Sequence, residues 1–79
     1  MRLVKKIPHD RYLIEIHEYN SKYILNITLD AYEQIYKIPV QEISSLDKIE
    51  ELINEDFLLK NLKRFIEMRE DWTKLNQNI

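Results

Sequence analysis

No glycine occurs among the 79 residues of this chain, although average usage would place it at about 7% of positions. Glycine is the residue that takes left-handed backbone without a steric penalty and lets main chain approach a ligand closely. Its absence therefore excludes a Gly-rich phosphate loop, a dinucleotide-binding fingerprint and a nucleophile elbow. Turns must be made by Asn, Asp, Ser and Pro, which tolerate turn geometry for reasons of their own.

Length allows one core and no second domain, so residues 1–79 are read as a single small domain. A hydrophobic share of 44% beside 33% charged residues is the composition of a packed globule and not of a disordered chain. With no cysteine, disulfides and thiolate zinc sites are excluded, and a reducing, cytoplasmic setting is the natural expectation. The run Met1–Pro8 is basic but no apolar stretch follows it, and nothing approaches the roughly 18 apolar residues of a membrane span. The expectation is a soluble chain that is neither exported nor anchored.

Period-two patterning dominates residues 10–30. With Asn20-Ser21 as a two-residue turn, Ile16 falls opposite Leu25, Ile14 opposite Ile27 and Tyr12 opposite Leu29, all on one apolar face. The other face pairs Glu15 with Asn26 and His17 with Ile24, as in a half-buried antiparallel hairpin. Residues 3–7 are the candidate third strand, turning at Pro8-His9-Asp10. Asp30-Ala31-Tyr32-Glu33 reads as a capping box, and Leu29, Tyr32, Ile35 and Tyr36 have helical spacing, so a short helix is expected over about 31–37. The alternative is a strand, since Tyr36, Ile38 and Val40 also alternate, and Pro39 would confine that strand to an edge. Ser44-Ser45 offers N-caps for a helix to about Asn54. After a break at Asn54-Glu55-Asp56, Asp56 caps a second helix through Leu58, Leu59, Leu62, Phe65, Ile66 and Trp72 to about Leu75, and residues 76–79 fray. The class is therefore α+β: a two- or three-stranded antiparallel meander, a short helix, and a helical segment over about 45–75 on one sheet face.

Little here supports catalysis, and no cofactor or metal is expected. His9 lies in a proposed turn and His17 in mid-strand, neither tied to a nucleophile, and no His-x-x-x-His spacing occurs. The chain is read as a non-enzyme. Charge is blocked along it: residues 1–12 carry +3, 13–37 carry −2, 38–59 carry −5 and 60–79 carry +2. The plainer reading of the acidic block is a solvated face with acids near helix starts. The sharper one is a surface that meets a basic partner or imitates a phosphate backbone. Protein-binding candidates are accordingly Tyr19, Tyr32, Tyr36, Glu42, Asp47, Glu50, Glu51, Glu55 and Asp56, aromatic residues being favoured interface anchors. A nucleic-acid contact would instead use Lys5, Lys6, Arg11, Lys60, Lys63 and Arg64 if they share one face.

Over Ile27–Ile43, about a fifth of the chain, the run Thr28-Leu29-Asp30-Ala31-Tyr32-Glu33-Gln34-Ile35-Tyr36 followed by Glu42-Ile43 resembles the corresponding stretch of the small phage uracil-DNA glycosylase inhibitors. That resemblance implies a hairpin, a helix and a further strand, a dimer, an acidic DNA-imitating surface, and an aromatic on the helix, here Tyr32, that grasps the enzyme. Three functional expectations stand together: a protein-binding accessory or inhibitor of phage or mobile-element type, a nucleic-acid-associated module, and a homo-oligomeric structural subunit. The first is favoured, with an unidentified protein as partner.

Overall fold

The structure is a computed structural model, and it describes residues 1–77. Four strands, β1 (Arg2–Ile7), β2 (Leu13–Tyr19), β3 (Lys22–Leu29) and β4 (Tyr32–Pro39), form an antiparallel meander in the order β1-β2-β3-β4. A 3-10 turn (Val40–Glu42) leads to two helices, α1 (Leu46–Leu52) and α2 (Glu55–Gln77). The α+β class expected from sequence is the one observed, with one more strand than expected.

The β2–β3 register is the one read from the alternation: Ile14 faces Ile27, Glu15 faces Asn26, Ile16 faces Leu25 and His17 faces Ile24. The reason is physical. A one-residue slip of either strand would carry its own pair of core side chains, Ile14 and Ile16 or Leu25 and Ile27, to the polar face. The turn between the strands has positive φ at both Asn20 (50°) and Ser21 (60°), the arrangement whose twist suits a two-residue hairpin.

Tyr12 is buried as expected, yet it is not paired with Leu29. The ladder stops at Leu13–Thr28, because the His9 Nδ1 atom accepts the Arg11 and Tyr12 amides (3.0 and 3.3 Å) and holds Tyr12 in the preceding turn. There the Tyr12 ring stacks on Phe65 at 6.0 Å. β1 pairs with β2 through a bulge between Leu3 and Lys5, which leaves Val4 and Ile7 packed against the core.

The short helix expected over 31–37 is a strand. Asp30 (φ 54°) and Ala31 turn the chain, after which Tyr32, Gln34, Tyr36 and Ile38 lie opposite Leu29, Ile27, Leu25 and Tyr23. The capping signal is local, whereas the free edge of β3 and the cover of α2 act on alternate side chains. Pairing with that edge satisfies backbone groups and half-buries Tyr32, Gln34, Tyr36 and Ile38 at the same time. β4 lies at the sheet edge, as the alternative reading required of a strand with Pro39 in it, but it ends at Pro39, and Val40 opens the 3-10 turn instead of continuing the alternation. Tyr32, which the resemblance puts on a helix, opens β4 instead.

The helices cover one sheet face. Ile14, Ile16, Leu25 and Ile27 from the sheet, Ile49 from α1 and Phe65 from α2 make the core with Tyr12. Ser45 is the N-cap position of α1, although its side chain makes no capping hydrogen bond. α2 starts one residue before the expected cap: the Asn54 Oδ1 atom, not Asp56, accepts the Phe57 amide at 2.9 Å. Glu55 and Asp56 occupy the first turn, where acids complement the helix dipole. At the other end α2 includes Asn76 and Gln77, which were expected to fray; residues 78 and 79 lie outside the described residues.

Candidate functional site

α2 is about 34 Å long at 1.5 Å per residue, while the molecule measures 45 × 26 × 19 Å. The helix therefore outruns the sheet. Its sheet-facing side chains include Phe57 in the first turn and then Leu58, Asn61, Phe65 and Met68, of which Asn61 and Phe65 are buried and the others partly so. From Arg69 to Gln77 every residue is exposed. Yet the alternating three- and four-residue spacing of the sheet-facing stripe continues without a break into Trp72 and Leu75, which are 53% and 59% exposed. The same face of one helix is thus covered for three turns and bare for the next two.

A polar bracket fixes the angle of this helix. Asn61 is fully buried, with its Nδ2 donating to the Phe57 carbonyl (2.9 Å) and its Oδ1 accepting from the Tyr36 hydroxyl (3.3 Å). Gln34 Nε2 donates to the Asn61 carbonyl at 2.8 Å, and Arg64 Nη1 donates to the Tyr36 oxygen at 2.7 Å. No buried side-chain polar atom is left without a partner among the described residues. A network so completed fixes one docking geometry where apolar packing alone would allow several. The side chains of α2 past Met68 are aimed by this bracket.

The residues singled out from sequence are dispersed. Tyr36 is half-buried between Asn61, Arg64 and Phe57, the last at 5.6 Å between ring centroids. It therefore lies beside the first turn of α2, where Glu55 and Asp56 stand exposed. Tyr19 is exposed at the β2–β3 end. Glu42 lies at that same end, since the Val40 amide donates to the Ser21 carbonyl at 3.0 Å. Tyr32 sits at the opposite end of β4. Asp47, Glu50 and Glu51 are on α1, where Lys48 pairs with Glu51 (3.5 Å) and Lys5 reaches Glu50. That carboxylate, through its hydrogen bond and its charge, holds the Lys5 ammonium above its ordinary pKa of 10.5.

The basic set does not gather on one face. Lys5 lies opposite Ile16 on the helix-covered side and Lys6 opposite Glu15 on the other. Arg11 belongs to the turn before β2, while Lys60, Lys63 and Arg64 belong to α2, with Arg64 engaged by Tyr36 and Gln34. His9 is used inside its own turn, and His17 lies 3.5 Å from Glu15. Among the described residues, no three of His, Asp and Glu converge to hold a metal ion, and no helix is long and apolar enough to cross a membrane.

The projecting apolar stripe was not singled out by sequence reasoning, which assigned Trp72 to the packed helix. The available signal was length: a helix of some twenty residues cannot lie wholly on strands of six to eight residues. No family model, curated protein or solved structure matches the chain.

Proposed function

We propose that this chain is a non-catalytic protein-binding module that engages its partner through the projecting half of α2. One observation carries the reading: the stripe that packs Phe65 and Met68 on the sheet runs on into Trp72 and Leu75, exposed and held by the Asn61 bracket. Helices bearing apolar side chains at such spacing bind by laying that face into an apolar groove, and tryptophan is the side chain most enriched among interface anchors. The occupied groove belongs to a second protein, with Arg69, Glu70 and Lys74 on the helix flank supplying polar contacts at its rim.

The acidic surface supports the reading in a second way. Residues 38–59 carry −5, and Lys5 and Lys48 are their counter-ions, so a basic partner would be drawn toward the α1 side of the molecule. An inhibitor of phage or mobile-element type, with this face imitating a phosphate backbone, is the narrower form of the proposal. Its setting is the cytoplasm, which the cysteine-free composition supports.

The test is affinity capture of the chain from nuclease-treated host lysate beside Trp72→Glu and Leu75→Glu variants. Both positions are exposed, so the variants keep their fold, as circular dichroism would verify. A stoichiometric protein retained by the parent and lost by both variants is the expected result. Retention by the variants would refute the role of α2, and partners that vanish with nuclease would replace it with nucleic-acid association.

A further inference from the structure

The outer edge of β4 has no backbone partner among the described residues, and its chemistry matches itself. Tyr32 closes a two-residue turn opposite Leu29, so those two residues exchange hydrogen bonds and the ladder alternates from there. Gln34, Tyr36 and Ile38 then direct their backbone groups toward β3. Glu33, Ile35 and Lys37 direct theirs outward, as does Pro39, which has no N–H to offer.

From this alternation, we infer that β4 pairs antiparallel with β4 of a second copy of this chain, about a twofold axis through Ile35. Centred there, Ile35 meets its own symmetry mate and Glu33 meets Lys37, twice over. All three pairs join residues whose N–H and C=O groups already point outward, so six backbone hydrogen bonds form without rearrangement. The Ile35 side chain, 51% exposed on the face without helices, gains a partner. On the helix-covered face, half-buried Tyr32 comes opposite Ile38.

Register selects this centre over its neighbours. Shifting the axis to Gln34 or Tyr36 keeps the outward groups facing one another but takes Glu33 away from Lys37. Proteins blunt edge strands with bulges, prolines and unmatched charges. β1 has such protection in its bulge and in Arg2, Lys5 and Lys6, which would repel a second β1. β4 has eight residues, no bulge in its ladder and a proline only at its end. Its lysine would repel another edge if Glu33 did not stand at the position the twofold brings opposite.

Light scattering with sedimentation velocity on the full chain across a micromolar concentration series tests this. The expected species has twice the 9.7 kDa chain mass. Lys37→Glu turns both charge pairs into like charges and should weaken the dimer on the order of tenfold. The swap Glu33→Lys with Lys37→Glu should restore it. Ile35→Pro removes an outward N–H and no β3 hydrogen bond, so it should give a folded monomer by circular dichroism, while Trp72→Glu should leave the dimer intact. A 9.7 kDa species at every concentration, or a dimer dissociated by Trp72→Glu and indifferent to Ile35→Pro, overturns the inference. Either result leaves the separate proposal for α2 to its own test.

Discussion

Ser21→Gly should stabilise this protein, because it relieves a strain that a glycine-free chain cannot avoid. Ser21 has φ 60° and follows Asn20 at φ 50° in the β2–β3 turn. Its carbonyl accepts the Val40 amide at 3.0 Å, so both the hairpin twist and the segment leaving β4 hold it in place. Left-handed backbone costs an L-residue roughly 1–2 kcal/mol. Glycine removes that cost but returns about 0.5–1 kcal/mol through the greater entropy of the unfolded chain. The net gain is about 0.5–1 kcal/mol, or a rise in Tm of roughly 2–8 °C for a domain of this size. Asn20→Gly is the control: asparagine tolerates this region through its own local hydrogen bonding, so its gain should be smaller. Thermal and urea unfolding followed by circular dichroism reads both, with an unchanged m-value confirming that only stability moved. A Ser21→Gly protein with a Tm equal to or below that of the parent would refute the reasoning.

Two further outcomes follow from the polar bracket and the Lys5 pair. Asn61→Leu leaves the Tyr36 hydroxyl without its acceptor and should cost roughly 1–3 kcal/mol in urea unfolding; the cost should shrink in a Tyr36→Phe background, and strictly additive effects would rule out the coupling. Lys5 has its pKa raised in the folded state, first by its hydrogen bond to Glu50 and then by that residue's charge. The stabilisation is therefore fully present below the unfolded value and is lost as pH rises through the folded one. Glu50→Gln should lower the Lys5 titration seen by NMR of the side-chain amine, and an unmoved titration would exclude the pair.

Where neighbouring residues alone decide, the chain could be read directly. The Asn20-Ser21 turn and the apolar alternation of Ile14, Ile16, Leu25 and Ile27 determine the hairpin register, because side chains alternate strictly along a strand and a one-residue slip of either strand turns its own pair out of the core. The break near Asn54 is equally local, though the capping atom proved to be on Asn54 and not on Asp56. Residues 31–37 carried two periods at once. Only the open edge of β3 and the arrival of α2, more than twenty residues later, chose the strand, since a local cap cannot outweigh a whole ladder with one face covered.

The same division holds for the surfaces. Composition and the missing glycines exclude whole classes of site, because backbone freedom and ligand chemistry belong to residue types. Whether Tyr36 stands free or braces a helix, whether Lys5 and Lys6 share a face, and whether Trp72 is core or bare depend on distances between elements far apart in the chain. A stripe of apolar residues at helical spacing looks the same whether or not a sheet lies beneath it. Tertiary structure decides this, because β4 ends its cover near Asp30, where Arg69 Nη2 meets the Asp30 carboxylate at 3.2 Å, and α2 runs on for two more turns.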